Sequence, residues 1–322
     1  MIKKGTGCRL KGCCLAFQPA ASQLIVLLLV FLVACQPRRT VTLALLGDIN
    51  LGRGVSPSAG SFDFLKVDLA RADLTLANLE SPLAASLPAD SLPYNLCASS
   101  DRAGLLNEWG FDLLSIANNH NFDCGLNGAS GTRSALESVG VTPVGPGTEA
   151  VYREVNGLRL AFLAFDDITS TLDADAAVQA IRLAHESGAL VIVSVHWGME
   201  YQGGASNRQK ILARQFASAG AALVWGHHPH VLQPVEWVGD EPCEGSKPSQ
   251  GCALVLYSLG NALFDQGGLA DTRQSALALV QVNAKGVQSI QVVPFVIDLT
   301  DSRLAAPDAE TARKILGRLK IK

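Results

Sequence analysis

From residue 41 onwards, short apolar runs alternate along the chain with amphipathic segments. The runs predict buried strands and the amphipathic segments predict helices, because side chains repeat every two residues in a strand and every 3.6 in a helix. This alternation indicates an α/β fold. The predicted strands are Val41 to Leu46, Leu74 to Ala77, Leu113 to Ala117, Val191 to Val195 and Ala222 to Trp225. The predicted helices are Phe62 to Ala70, Arg102 to Glu108, Gly128 to Ser138, Ala174 to Ser187, Asn207 to Ala219 and a basic C-terminal helix within Pro307 to Lys322.

Two further segments predict antiparallel hairpins. Asn156-Gly157 interrupts the apolar stretch Val151 to Phe165, and this dipeptide favours a tight turn. Lys285-Gly286 joins Ser275 to Val282 with Val287 to Val296. Hairpins combined with βα units indicate a mixed sheet or two packed sheets. Because no long linker interrupts the pattern, we expect one domain.

A polar cluster follows each of the five predicted strands. In open α/β sheets, ligand-binding groups collect at the carboxyl ends of the strands, so five distant segments are expected to meet at one site. The clusters are Gly47-Asp48, Asn78-Leu79-Glu80, Asn118-Asn119-His120, His196-Trp197-Gly198 and Gly226-His227-His228-Pro229-His230.

The N-terminal segment has the pattern of an export signal. Basic residues precede the apolar run Leu24 to Val33, and Leu32-Val33-Ala34-Cys35 resembles the lipobox of bacterial lipoproteins. The prediction is a signal peptide over 1–34, a lipidated Cys35 and a short tether over 35–40. The protein is then lipid-anchored at the extracytoplasmic face of the cell membrane. An uncleaved anchor helix and an ordinary secretory signal are the alternatives.

Composition narrows the class of partner. The 322 residues are 48% hydrophobic and 17% charged, which is enough to bury a substantial core. Without residues 1–34 the chain keeps 22 of its 26 basic side chains and all 29 acidic ones, a formal charge of −7. This balance disfavours a nucleic-acid partner.

Four cysteines remain after the signal segment and Cys35 are set aside. An even number in an oxidising compartment predicts disulfides, here Cys243 with Cys252 and Cys97 with Cys124. Metal ligation by these cysteines is the alternative, but no CxxC spacing supports it.

The polar clusters contain oxygen and nitrogen donors of the kind that hold divalent cations. The candidate ligands are Asp48, Glu80, Asn119, His196, His228 and His230. Without a thiolate, such a set suits Mn, Zn, Fe or Mg, and two cations with a bridging carboxylate would generate a hydroxide at neutral pH. Taken singly, each residue has a plainer reading as a helix cap, a turn former or a core histidine. Taken together they favour a metal site, since five of the six histidines lie in the clusters and only His185 lies elsewhere.

At these residues the chain resembles the CapA family, which is associated with poly-γ-glutamate capsule synthesis. The resemblance runs from about Val41 to Asp298 and rests on six motifs in order. It implies a mixed-sheet αββα sandwich of metallophosphatase type over 41–299, followed by a C-terminal helical extension over 300–322. The motifs are Gly47-Asp48-Ile49-Asn50, Asn78-Leu79-Glu80-Ser81-Pro82, Ala117-Asn118-Asn119-His120-Asn121-Phe122-Asp123, His196-Trp197-Gly198-Met199-Glu200-Tyr201, Gly226-His227-His228-Pro229-His230 and Tyr257-Ser258-Leu259-Gly260-Asn261.

The resemblance also implies a role for each matching residue. Asp48 would bind the first metal and Asn119 the second, with the three predicted histidine ligands completing the set. His120 would be the general acid, oriented by Asp123. Two positions depart from the wider metallophosphatase pattern, because Asn50 replaces a usual histidine and Glu80 replaces a bridging aspartate. These departures leave open whether the site holds two cations or one.

Four further residues of the motifs are candidates for the substrate cleft: Asn50, Trp197, Glu200 and Asn261. For Trp197 and Glu200, ordinary packing is an equal alternative. We predict a metal-dependent hydrolase that uses a metal-bound hydroxide on an anionic cell-envelope or capsule substrate, either a phosphoester or a γ-glutamyl amide, alongside other capsule-synthesis proteins. The alternative is a non-catalytic accessory protein that binds or guides an anionic capsule polymer.

Overall fold

A computed structural model describes residues 40–88, 93–239, 243 and 252–321. The chain from Arg39 to Lys322 forms one compact unit. The predicted signal peptide, Cys35 and the tether up to residue 39 lie outside the described residues. In the part of the chain that the structure describes, no helix has the length and apolar character needed to cross a bilayer.

One sheet of eight strands is built around the first strand, β1 (Val41–Ile49). The other strands of this sheet are β2 (Leu74–Leu79), β5 (Leu113–Ser115), β6 (Thr142–Val144), β13 (Asn261–Leu263), β14 (Gln274–Asn283), β15 (Gly286–Asp298) and β16 (Arg303–Ala305). Their order is β16-β15-β14-β1-β2-β5-β6, and β13 pairs with β1. β1 is parallel to β2 and β13 and antiparallel to β14, so the sheet is mixed.

A second sheet contains six strands. They are β7 (Gly147–Val155), β8 (Leu158–Asp166), β9 (Leu190–His196), β10 (Ala221–His227), β11 (Val235–Val238) and β12 (Ala253–Leu256). Their order is β11-β12-β10-β9-β8-β7, with parallel strands at the centre and an antiparallel pair at each edge. Apart from both sheets, a short pair joins β3 (Leu83–Ala84) to β4 (Ala98–Ser99).

The helices flank the sheets. They are α1 (Lys66–Leu69), α2 (Ala103–Glu108), α3 (Gly128–Ser138), α4 (Ala174–Glu186), α5 (Asn207–Ser218) and α6 (Ala309–Leu319), with 3-10 turns at Ala59–Leu65, Ser100–Arg102 and Ala270–Arg273. α5 begins at a capping box in which the Ser206 hydroxyl accepts from the Gln209 N–H, so its first turn has its polar groups satisfied.

Three apolar layers hold these elements together. Along β1, Leu45 packs into the layer between the two sheets, whereas Leu46 packs against the helices on the outer side. Trp225 of β10 lies in the middle layer, and Phe216 of α5 lies in the outer layer of the second sheet. Because both faces of each sheet are covered, the strands read as continuous apolar runs in the sequence. The predicted αββα sandwich is confirmed.

Most predicted elements are present within a residue or two of their expected bounds. The Asn156-Gly157 turn joins β7 to β8, and both of its residues have positive φ, at 51° and 72°. The expected helix at Phe62 to Ala70 is wrong in type, because 3-10 structure occupies Ala59–Leu65 and only α1 is α-helical.

Gly226 lies where two core groups come close to the backbone of β10. A Cβ at this position would lie 2.2 Å from Trp197 Nε1 and 2.2 Å from Tyr257 O. A Gly226→Ala variant is therefore expected to lose about 3 kcal/mol or more of unfolding free energy, as in other overpacked cores. The matched control is Gly104→Ala in α2, where nothing lies within 4 Å and a gain of about 0.5–1 kcal/mol is expected. Urea unfolding of both variants measures the difference, and equal stabilities would contradict the packing argument.

Candidate metal centre

The carboxyl ends of strands from both sheets meet at one buried cluster. Asp48 is at the end of β1, Glu80 directly follows β2, and His196 ends β9. The connection after β10 supplies His228 and His230. These five side chains are buried, although they come from segments up to 182 residues apart in numbering, from 48 to 230. The ends of these strands therefore meet at one site, as the sequence predicts.

Glu80 lies at the centre of the cluster. Its Oε1 is 3.6 Å from His120 Nε2, 3.8 Å from His196 Nε2 and 3.6 Å from His230 Nε2. These distances are longer than the donor–acceptor distance of a hydrogen bond. They are close to the separation of about 3.4 Å between two ligands of a tetrahedral cation with bonds of about 2.1 Å.

Among the described residues, three groups of ligand atoms lie close enough together to bind a cation. One is Glu80, His196 and His228, another is Asp48, Glu80 and His230, and their ligand atoms lie within 4.8 Å of one another in each group. Glu80 belongs to both, so its carboxylate is common to the two overlapping groups. The third group, Glu200 with His228 and His230, lies further out because Glu200 is exposed.

Three atoms of the candidate ligands have no hydrogen-bond partner among the described residues. Both carboxylate oxygens of Glu80 and the Nδ1 atom of His228 are buried and lack a hydrogen-bond partner in the described residues. A buried charge without a partner is costly. Divalent cations fit this donor set because they would satisfy those atoms and offset the carboxylates of Asp48 and Glu80.

Burial sets the protonation of the cluster. Burial and the neighbouring His228 hold the pKa of His196 well below its usual value, and burial lowers the pKa of His228 to about 4. The imidazoles are therefore neutral at pH 7, the form in which histidine binds metals. Burial and the charge of Asp48 raise the pKa of Glu80. Burial alone would raise the pKa of Asp48 as well, but the neighbouring His227, His230 and His196 together outweigh burial and lower that pKa.

Asparagine side chains position the ligands. Asn78 Nδ2 donates to Asp48 Oδ1 at 2.8 Å, and Asn118 Nδ2 donates to Asn78 Oδ1 at 3.3 Å. Asn119 Oδ1 lies 2.8 Å from His196 Nε2, so the predicted amide ligand is beside a predicted histidine ligand. Asn78 and Asn118 are not among the predicted site residues, because their hydrogen bonds to Asp48 and Asn78 form only when distant segments of the chain come together.

Asn261 orients His230. Its Nδ2 donates to Gln266 Oε1 and to Thr272 O, so its Oδ1 must accept from His230 Nδ1 at 2.9 Å. The lone pair of His230 Nε2 is then directed towards Glu80. Asn261 thus acts behind a ligand, in the manner of the outer hydrogen bonds that fix metal-binding histidines.

His227 also contacts Asp48. It is buried, and its Nδ1 is 3.1 Å from Asp48 Oδ1 without the geometry of a hydrogen bond. His228 and His230 have positive φ, at 93° and 57°, which is a strained conformation for non-glycine residues. The His228 N–H donates to Asp48 Oδ2 at 3.1 Å, so this turn also binds the first carboxylate.

His120 and Asp123 form a pair at the edge of the cluster. His120 Nδ1 donates to Asp123 Oδ2 at 2.8 Å, which leaves His120 Nε2 facing Glu80. Asp123 Oδ2 also accepts from the Leu96 N–H at 2.7 Å. The next residue after Asp123 is Cys124, which is disulfide-bonded to Cys97. This is one of the two predicted pairs, and Cys243–Cys252 is the other.

Two predicted cleft residues have other positions. Trp197 is fully buried, with its indole N–H donating to Tyr257 O at 3.0 Å and its ring stacked on Tyr257, so the expectation that it lines the cleft is wrong. The buried side chain of Asn50 accepts from the Gly52 N–H at 2.8 Å and donates to Asp265 Oδ1 at 3.2 Å. Asn50 thus holds the loop after β1, and Glu200 remains at the exposed rim.

Fold and site together define an α/β sandwich protein with a His, Asp and Glu cluster of metal-ligand type at its strand ends. The chain belongs to the family described as bacterial capsule synthesis protein PGA_cap, whose model matches residues 42–266. This confirms the resemblance to CapA proteins.

Relatives agree with that assignment. The chain is 31% identical over 291 residues to capsule biosynthesis protein CapA of Bacillus anthracis, covering 79% of this chain and 67% of that protein. It is 28% identical over 277 residues to PGA biosynthesis protein CapA of Bacillus subtilis strain 168, covering 77% and 70%. Among solved structures, a hypothetical protein from Thermus thermophilus matches with a TM-score of 0.48 at 18% identity, over 79% of this chain and 99% of that one.

Proposed function

We propose that this protein is a metal-dependent hydrolase that acts on an anionic polymer of the cell envelope during capsule synthesis, and that lipid at Cys35 anchors it outside the cytoplasmic membrane. The observation that carries the catalytic part is the position of Glu80, whose unpartnered carboxylate belongs to two overlapping ligand groups. A buried carboxylate without a partner destabilises the core, whereas in that position it can bind cations that promote hydrolysis.

The side chains divide the chemistry between them. Asp48, Glu80, His196 and His230 would hold the cations, with Asn119 and His228 completing the set. Divalent cations in such a site polarise the scissile group and lower the pKa of water. His120 Nε2 would carry the proton to the leaving group, and Asp123 keeps its ring in the orientation and tautomer that this transfer needs.

Two substrate linkages suit this site. A phosphoester fits hydrolysis by paired cations, and a γ-glutamyl amide fits the names of the Bacillus relatives, one of which is a PGA biosynthesis protein. Both linkages place a negative charge close to the bond that breaks. A polymer of either kind would meet the protein on the outer side of the membrane.

Metal content and hydrolysis test the proposal together. Protein purified after exposure to Mn is expected to contain bound Mn by elemental analysis. It is also expected to cleave either a chromogenic phosphodiester or γ-linked polyglutamate in a Mn-dependent way. Protein that binds no transition metal overturns the proposal. Protein that binds metal but cleaves neither substrate indicates instead an accessory protein that guides the polymer, as the name of a Mycobacterium tuberculosis relative, a probable polyglutamine synthesis accessory protein, suggests for that protein.

The anchor has its own prediction. A Cys35→Ser variant is expected to lose incorporation of labelled fatty acid and to leave the membrane fraction, because the acyl chains supply the membrane affinity. Cys14→Ser is the matched control, since Cys14 lies in the segment expected to be removed. Retention of the Cys35→Ser protein in membranes would favour the uncleaved anchor helix.

A further inference from the structure

We propose that Arg53 is a specificity residue that binds an oxyanion of the substrate, a carboxylate or a phosphate, next to the metal cluster. This inference rests on the proposed function, since it names a group that the hydrolase would recognise. It concerns a side chain for which the motifs of the sequence give no role.

Asp265 fixes the guanidinium of Arg53 from one side. Arg53 Nε donates to Asp265 Oδ2 at 2.7 Å, and Nη2 donates to Asp265 Oδ1. Asp265 is held in turn by Asn50 Nδ2 at 3.2 Å and by the Gly54 N–H at 3.1 Å. A bidentate pair of this kind sets the plane of the guanidinium and the direction of its remaining donors.

Part of the guanidinium remains available. Arg53 Nη1 donates to no group in the described ranges of the chain, and the side chain is 30% exposed. Two other arginines are engaged differently. Arg102 directs its Nη1 at the Leu51 and Val55 carbonyls, and Arg208 adds the Leu172 carbonyl to its two bonds with Asp167. Arg53 therefore has the donor capacity that an incoming anion needs.

Arg53 is also beside the cluster. Its guanidinium carbon lies 5.6 Å from the centroid of the Phe264 ring, and that ring lies 4.9 Å from the ring of His230. An oxyanion that reached the cations would thus come within range of an arginine whose orientation is already fixed.

The backbone of the same loop supports a built site. Arg53 has a φ of 50°, an uncommon conformation for a residue with a side chain, and it is followed by Gly54, which bonds Asp265. Asn50 stands where the wider metallophosphatase pattern has a ligand histidine, and here it holds Asp265. At this position Asn50 therefore holds Asp265, and Asp265 in turn fixes Arg53.

The test is the affinity of the protein for two probe anions, measured by calorimetry on full-length protein purified in detergent, with and without Mn. The probes are inorganic phosphate and γ-linked triglutamate, and the one that binds identifies which oxyanion the site takes. Arg53→Ala is expected to weaken binding of that probe by about 10-fold or more, because a charge-assisted hydrogen bond is lost. Arg53→Lys should weaken binding less, because lysine keeps the positive charge although it lacks the paired N–H donors of the guanidinium.

Two further variants separate direct binding from other causes. Arg53→Ala leaves the Asp265 carboxylate unpaired, and its charge alone would repel an anion. In Arg53→Ala/Asp265→Asn that charge is absent, and binding is expected to stay as weak as in Arg53→Ala. Arg208→Ala, which removes a comparable arginine from an Asp167 pair, should bind within about twofold of wild type.

Each outcome decides the proposal. An Arg53→Ala protein that keeps its Mn content and binds both probes within about twofold of wild type overturns it, as does recovery of binding in the double variant. Wild-type protein that takes up Mn but binds neither probe also overturns it. Absence of Mn uptake refutes the proposed hydrolase instead, and the titration of the same samples without Mn still shows whether Arg53 binds an anion.

Discussion

A Glu80→Gln variant is expected to lose most of its affinity for divalent cations, because this carboxylate belongs to both overlapping ligand groups. Removing a residue that hydrogen-bonds a metal ligand typically lowers metal affinity by about 10- to 100-fold. Loss of a ligand shared by both groups should therefore lower metal affinity by about 100-fold or more. The amide is nearly isosteric and neutral, so the fold should survive. Elemental analysis after dialysis and titration with Mn measure the effect.

Glu200→Gln is the matched control for that variant. It makes the same chemical change at an exposed carboxylate that belongs only to the outer group. We expect it to retain Mn within about threefold of wild type, because the Glu80 groups remain intact. If Glu80→Gln keeps the Mn content of wild type, Glu80 is not a shared ligand. If the two variants lose metal equally, the outer group of Glu200, His228 and His230 is the real site.

The second large effect separates proton transfer from metal binding. His120→Ala is expected to keep its Mn and to lose turnover by about 10²- to 10⁴-fold, the usual range for a general acid. His196→Ala should lose both, because His196 belongs to the inner group with Glu80 and His228. Metal content, and hydrolysis of the substrate identified for the wild type, are measured on the same preparations.

His185→Ala controls for the removal of a histidine as such, since His185 is exposed and lies outside the motifs. It should match wild type in both measurements. The division of roles fails if His120→Ala releases metal to the same extent as His196→Ala. Thermal unfolding of each variant without metal shows whether the fold itself has been lost.

The layered fold could be predicted largely because parallel strands buried on both faces have a strong sequence signal. β9 and β10 read as apolar runs, and each ends at a histidine. Short strands have no such signal. β6 and β13 contain three residues each, too few to show the two-residue period of a strand. They are strands because they pair with β5 and β1, which a sequence pattern does not reveal.

The metal cluster could be predicted because polar side chains after buried strands stand out in the sequence. What could not be predicted is which neighbour faces the site. His196 and Trp197 are adjacent, yet one lies in the cluster and the other in the core, as expected when successive side chains point to opposite faces. The contacts of Asn78 with Asp48, and of Asp265 with Arg53, arise from pairing of segments distant in sequence.

The bond between Cys97 and Cys124 makes the stability of the loop that carries His120 and Asp123 depend on thiol oxidation. It joins two cysteines that are 27 residues apart in sequence, which is worth about 3–4 kcal/mol of chain entropy. It also ties Cys97, the neighbour of Leu96, to the residue after Asp123. Newly made chain in a reducing cytoplasm would lack this link and would hold Asp123 by hydrogen bonds alone. Formation of this disulfide would then be a covalent step that links the position of Asp123 to the redox state around the protein.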